Sequence, residues 1–194
     1  MPILFEAHYI MLTLFAAVKP PAEILDAVEA VQKGIEGVNW APRDNLHITL
    51  GYFGAVEDEY AEILDHELAR SPGTGFDLCL TGANIFGGSR PHALWLGIEN
   101  ASARSSSLAA LHKHVRRAAR RANIPMEARN FVPHLTLAYL RRRTPKDELT
   151  NYIRRHVRFK SKAFLVDQFA LYSSHHQKNR SNIYTKQANY PLLG

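Results

Sequence analysis

The 194-residue sequence predicts an α+β chain built as two similar lobes around a central cleft. Three observations carry that expectation. Each half of the chain reads strand, helix, strand, helix, strand. The middle strand of each half carries the string His-x-Thr-Leu, as His47-Ile48-Thr49-Leu50 and again as His134-Leu135-Thr136-Leu137. The two strings are separated by close to half the chain, as an internal duplication requires.

The elements follow in order. The first strand is expected from His8 to Ala16. Pro20-Pro21 opens a helix, since proline suits a first turn; Ile24, Val28, Val31 and Ile35 recur at helical spacing until Gly37. Pro42-Arg43-Asp44-Asn45 is a turn leading into a strand from Leu46 to Phe53. A helix follows from Glu57 to Arg70, with Tyr60, Ile63, Leu64 and Leu68 inward, and Ser71-Pro72-Gly73 stops it. A strand from Phe76 to Thr81 closes the first half. After the loop Gly87-Gly88-Ser89-Arg90-Pro91, a strand runs from His92 to Ile98. A helix spans Ser105 to Asn123, with Leu108, Leu111, His112, Val115 and Ala119 on one stripe. Then come a strand from Phe131 to Leu140, a helix from Pro145 to Arg155 and a strand from Ala163 to Tyr172. A polar turn, Ser173 to Ser181, leads to a last strand from Asn182 to Gln187. These make one bilobal domain over residues 1–194, with lobe one near 8–85, lobe two near 90–190, and strands free to exchange between them.

Composition narrows the function classes. Apolar residues make up 46% of the chain, enough for a core and against global disorder. The single cysteine, Cys79, lies in an apolar run and reads as a small buried hydrophobe; one cysteine excludes an internal disulfide framework and a cysteine-rich zinc site. No run reaches the roughly 18 apolar residues of a membrane span. The apolar segment Ile10 to Val18 lacks a positive flank and is followed by Lys19-Pro20-Pro21, so it reads as a strand rather than a signal peptide, and a cytoplasmic address is expected. The net charge of +6 favours polyanionic partners such as nucleic acid.

The twin strings carry the chemistry. Side chains alternate along a strand, so His47 and Thr49 share one face, as do His134 and Thr136, while Ile48, Leu50, Leu135 and Leu137 anchor the other. An imidazole moves protons near neutral pH, and a threonine hydroxyl can donate to a non-bridging phosphate oxygen. Two such pairs face to face supply a base on one side of phosphorus and an acid on the other. No metal or other cofactor is needed. Two complete matches in a chain with 10 histidines have a chance probability on the order of a few per cent. The residues do not say which histidine is acid and which is base.

With these strings go Leu14-Phe15-Ala16-Ala17, Asp44-Asn45 before the first motif and Phe53-Gly54 after it, Leu94-Trp95-Leu96-Gly97, and the closing Phe169-Ala170-Leu171-Tyr172-Ser173-Ser174 with Tyr184-Thr185. In that order the chain resembles the two-histidine (2H) phosphoesterase superfamily, and within it the RNA 2′,3′-cyclic phosphodiesterases, also called 2′-5′ RNA ligases. The resemblance covers nearly the whole chain. It implies two antiparallel sheets flanking a cleft, and hydrolysis of RNA or oligonucleotide 2′,3′-cyclic phosphate ends to 2′-phosphomonoesters, with 2′-5′ ligation as a side activity. It implies His47 as proton donor, His134 as proton acceptor, and Thr49 and Thr136 on the phosphate. A monomer is expected. The alternative is a nucleotide- or RNA-binding module without useful turnover on the same scaffold.

One position departs from that pattern. Relatives often carry an arginine two residues after the second His-x-Thr-Leu, where this chain has Tyr139, with Arg141, Arg142 and Arg143 following. Arg141, Phe15, Phe53 and Tyr139 are the further candidates for substrate contact. Of Phe15, Tyr52 and Phe53 as base-stacking groups, two are expected in the core. Arg116, Arg117, Arg120 and Arg121 read as a solvated helix face, the other eight histidines as surface groups, and Trp40 and Trp95 as core.

Overall fold

The computed structural model describes residues 11–70, 73–101, 107–128, 130–141, 144–178 and 181–192. The elements are β1 (Met11–Val18), α1 (Ala22–Val31), β2 (Asn39–Trp40), a 3-10 turn (Arg43–Asn45), β3 (Ile48–Glu57), α2 (Asp58–Ala69), β4 (Phe76–Phe86), β5 (Ala93–Asn100), α3 (Leu108–Arg121), β6 (His134–Tyr139), α4 (Lys146–His156), β7 (Phe164–Val166), β8 (Gln168–His175) and β9 (Ile183–Pro191). The expected beginning of the first strand, the first residues of the expected α3, Arg142 and Arg143 lie outside the described residues.

All strand pairs are antiparallel, in the order β7-β4-β5-β6-β3-β1-β8-β9, with β2 paired to β6. One link in this path is very short: β3 and β6 share the single pair Ile48–Leu135. It divides the strands into two sets, β3-β1-β8-β9 and β7-β4-β5-β6. The first set joins strands from the two ends of the chain, and the second is built from consecutive strands that begin with β4 of the first half, so strands are exchanged between halves. α2 and α3 pack over the first set; α4 packs on β4, and the Tyr152 hydroxyl donates to the Val31 carbonyl (2.6 Å), tying α4 to the end of α1. Ser107 caps α3 by accepting from the Ala110 amide. One hydrophobic cluster, with Leu14, Ile24, Leu50, Leu94, Leu135 and Phe169 among its members, runs through both sets.

The expected strand from Ala163 to Tyr172 is two strands. β7 pairs with β4, whereas β8 pairs with β1, so the chain crosses from one set to the other at Asp167. The Asp167 carbonyl at the crossing accepts from the Leu192 amide. β8 then continues to His175, because β9 pairs along its full length, and the polar turn begins later than composition suggests. β4 likewise outruns its expected end at Thr81, held by the ladder to β5 as far as Phe86. Not all of the other histidines are surface groups. His114 is buried and its Nε2 bonds to the Leu68 carbonyl; amphipathic spacing puts it on the inner stripe of α3, where a carbonyl satisfies it.

Candidate active site

The single pair joining β3 to β6 is the middle residue of both motifs. Ile48 separates His47 from Thr49, and Leu135 separates His134 from Thr136. An antiparallel pair has a local two-fold axis between its residues. That axis relates His47 to His134 and Thr49 to Thr136, so both pairs stand on the face opposite to the buried Ile48 and Leu135.

Both histidines are locked in the same way. His47 Nδ1–H donates to the Asn45 carbonyl at 2.7 Å, and His134 Nδ1–H to the Val132 carbonyl at 2.8 Å. A carbonyl only accepts, so the hydrogen sits on Nδ1 and the Nε2 lone pair is left for chemistry. Neither Nε2 nor the hydroxyls of Thr49 and Thr136 have a hydrogen-bond partner among the described residues.

Each motif also contains a β-bulge. Ala17 pairs with Thr49 and Ala16 with Gly51, leaving Leu50 unpaired; Trp95 pairs with Thr136 and Leu94 with Ala138, leaving Leu137 unpaired. Each bulge resets the alternation of faces. Tyr52 therefore joins Thr49 in the cleft, and Tyr139 joins Thr136. The two strings are longer than they first look: His-x-Thr-Leu-Gly-Tyr and His-x-Thr-Leu-Ala-Tyr. The carbonyl exposed by each bulge is held by a distant side chain. His112 Nδ1 donates to Leu50 O (2.7 Å) while its ring stacks on Phe131, centroids 3.9 Å apart. Gln32 Nε2 donates to Leu137 O (2.9 Å), which also accepts from the Ala41 amide. Gly51 has no room for a side chain: a Cβ there would sit 2.8 Å from Val115 and Met126.

Aromatic rings wall both imidazoles. His47 lies 5.0 Å from Phe15 and 5.4 Å from Tyr184; His134 lies 4.8 Å from Phe86 and 5.9 Å from Trp95. Burial lowers the pKa of both, although the carbonyl bonds work against it. The effect is larger at His47, which falls to about 4, with Lys19 and His134 adding like-charge repulsion.

The remaining expected residues divide. Phe15 packs on His47. Tyr139 is exposed, and its hydroxyl is a neighbour of the Tyr184 hydroxyl. Tyr184 is held protonated, its pKa pushed up to about 12 by burial and by its neighbours Tyr139 and Tyr52. Phe53 is not in the cleft. The bulge at Leu50, which brings Tyr52 into the cleft, turns Phe53 to the helix face, where it is buried near Gly51. The Arg141 guanidinium donates to Asn39 Oδ1, beside Tyr139, and its amide to Thr144 Oγ1. Trp95 is a wall of the site rather than plain core. Sequence reading missed Tyr184, Phe86, His112 and Gln32 as site or support residues; the repeated tyrosine after each motif was the one signal available for Tyr52. Among the described residues no group of three or more His, Cys, Asp or Glu side chains could hold a metal ion, and no helix is long and apolar enough to cross a membrane.

Comparison with known proteins agrees with this geometry. The family model for the 2′-5′ RNA ligase superfamily matches residues 19–178. An RNA 2′,3′-cyclic phosphodiesterase of Escherichia coli is 32% identical over 127 residues, 64% of this chain and 69% of that protein. One from Thermotoga maritima is 28% identical over 152 residues, 77% of each chain. The crystal structure of E. coli LigT complexed with 3′-AMP superposes with a TM-score of 0.69 at 26% identity, covering 95% of this chain and 99% of that one.

Proposed function

The chain belongs to the 2′-5′ RNA ligase superfamily, and we propose that it hydrolyses 2′,3′-cyclic phosphates at RNA ends to 2′-phosphomonoesters, with His47 and His134 as its acid–base pair. The observation that carries this reading is the Ile48–Leu135 pair, which sets two identical imidazole–hydroxyl units about one axis.

The two imidazoles flank the position of the phosphorus. His134 is the more exposed of the two, and its Nε2 takes the proton of the attacking water. His47 is enclosed by Phe15 and Tyr184, and its Nε2 protonates the departing ribose O3′. In the free protein His47 is neutral, with its pKa near 4. A phosphodiester anion beside it favours the imidazolium, so substrate itself charges the acid. Thr49 and Thr136 donate to the non-bridging oxygens, and the Tyr139–Tyr184 hydroxyl pair supplies neutral donors where relatives often have an arginine.

The direct test is incubation with nucleoside and oligonucleotide 2′,3′-cyclic phosphates, with and without EDTA, with separation of the products. We expect the 2′-monophosphate at a rate that EDTA leaves unchanged. A 3′-monophosphate would reverse the choice of leaving oxygen. Tight binding with no turnover would make the chain a binding module.

A further inference from the structure

A row of cross-strand partners leads away from the reacting centre. Thr49 on β3 pairs with Ala17 on β1, Ala17 with Ala170 on β8, and Ala170 with Asn189 on β9. Residues paired in this way share a face of the sheet, so the row extends the cleft face outward from Thr49. A neighbouring row runs Tyr52, Phe15, Tyr172, Lys186. The second row is tall: Phe15 and Tyr172 stack with centroids 5.3 Å apart. The first is floored by two methyl groups. Beside these rows lies a cavity of about 300 Å³, lined by Ala17, Ala170, Tyr172, Asn189, Lys19 and Lys186, with Asp167 its one acidic residue among the described residues.

Resting on the phosphodiesterase reading above, we propose that this cavity binds the nucleotide on the 5′ side of the cyclic end, so that the enzyme acts on chains in preference to single nucleotides. Adjacent strands lie about 4.8 Å apart, which puts the alanine floor about 5–10 Å from Thr49. That is where a chain whose terminal phosphate contacts Thr49 carries its next unit. The cavity has room for a base beside the small, buried Ala17 and Ala170, and Tyr172 lines it with an aromatic ring. Two ammonium groups serve the connecting phosphodiester. Lys19 is fixed in place by donating to the carbonyls of Arg43 (3.0 Å) and Asp44 (2.6 Å), which leaves one of its three N–H groups for a ligand. Lys186 is exposed and has no ion-pair partner among the described residues. An aromatic face beside paired cations is the general means of holding single-stranded nucleic acid.

The test compares kcat/KM for a nucleoside 2′,3′-cyclic phosphate with that for a dinucleotide ending in the same group, in the native chain, in Lys186→Ala and in Asn189→Trp. Both substituted positions are exposed, and the tryptophan would close the cavity by bulk without altering the core. We expect the native chain to favour the dinucleotide at least about tenfold, chiefly through KM. We expect each variant to reduce that preference to within about threefold while hydrolysing the mononucleotide within twofold of the native rate. Equal use of the two substrates by the native chain, or a preference that survives in both variants, overturns the subsite and leaves the phosphodiesterase reading standing. Turnover of neither substrate overturns both.

Discussion

The two motifs are the same device in two surroundings. Each has an imidazole locked through Nδ1 to the carbonyl two residues before it, a hydroxyl on the same face, a bulge at leucine and a tyrosine after the bulge. What differs is the medium. His47 lies between Phe15 and Tyr184 and near Lys19, and its pKa drops to about 4. His134 is more open, and its pKa falls less far. The two strands supply a symmetric pair of imidazoles; the unequal walls make His47 the more enclosed and His134 the more open, and the proposed assignment of acid and base rests on that difference.

Removal of either histidine is the strongest way to break that comparison. His47→Gln and His134→Gln should each lower kcat by about 10²–10⁴-fold, with unchanged circular dichroism. The double variant should be little worse than either single one, because each histidine is useful only with its partner. A single variant with near-native turnover would end the two-histidine mechanism. Two large but strictly multiplying losses would mean that the histidines act independently.

The pH profile sharpens the comparison. The proposed mechanism needs one imidazole charged and the other neutral, so kcat/KM should peak midway between the two pKa values, whichever residue is the acid. One value is about 4 and the other lies below the ordinary 6.5, which places the peak below about pH 5.5. Bound phosphate raises both values, so the kcat profile should lie at higher pH than the kcat/KM profile. Profiles that coincide near neutrality would show that the walls do not shift the imidazoles.

The legible part of this molecule is the part set by local pattern. The helices and most strands follow from periodicity, and the four motif residues follow from alternation over three positions. Alternation fails beyond the bulges. Counting in twos from Thr49 passes Gly51 to Phe53, and the unpaired Leu50 shifts the cleft residue to Tyr52. A bulge is decided by register against β1 and β5, strands far away in sequence, and no nearby residue announces it. The same holds for Tyr184, which reaches His47 only because β8 and β9 from the end of the chain are laid beside β1. Arg141 is tethered by Asn39 on β2, the partner of Tyr139, a link between distant segments that no local pattern announces.

The bulges can be compared through their supports. His112→Ala removes the donor to Leu50 O and the stack on Phe131, and should cost about 2–3 kcal/mol, since a buried carbonyl is left without its partner. Gln32→Ala leaves Leu137 O with the Ala41 amide, and should cost about 1 kcal/mol. Urea unfolding measures both. Equal costs would mean that the backbone amide contributes nothing to the second bulge.

The dependence of stability on pH separates the two histidines. His47 has a folded pKa of about 4 against an unfolded 6.5, so between those values the unfolded chain binds more protons. Its contribution to stability is complete above pH 6.5, is lost as pH falls toward 4, and is constant below that. Between pH 7 and pH 5 the loss is about 2 kcal/mol, or about 4–8 °C in Tm for a chain of this size. His47→Gln should lack this component and show a flatter Tm against pH; His134→Gln, whose native pKa is lowered less, should stay closer to the native curve. Inorganic phosphate, by favouring the imidazolium, should restore part of the native chain's Tm at pH 5 and do so less in His47→Gln. Parallel Tm curves for all three chains would show that His47 is no more enclosed than His134, and the division of acid from base by burial would fall.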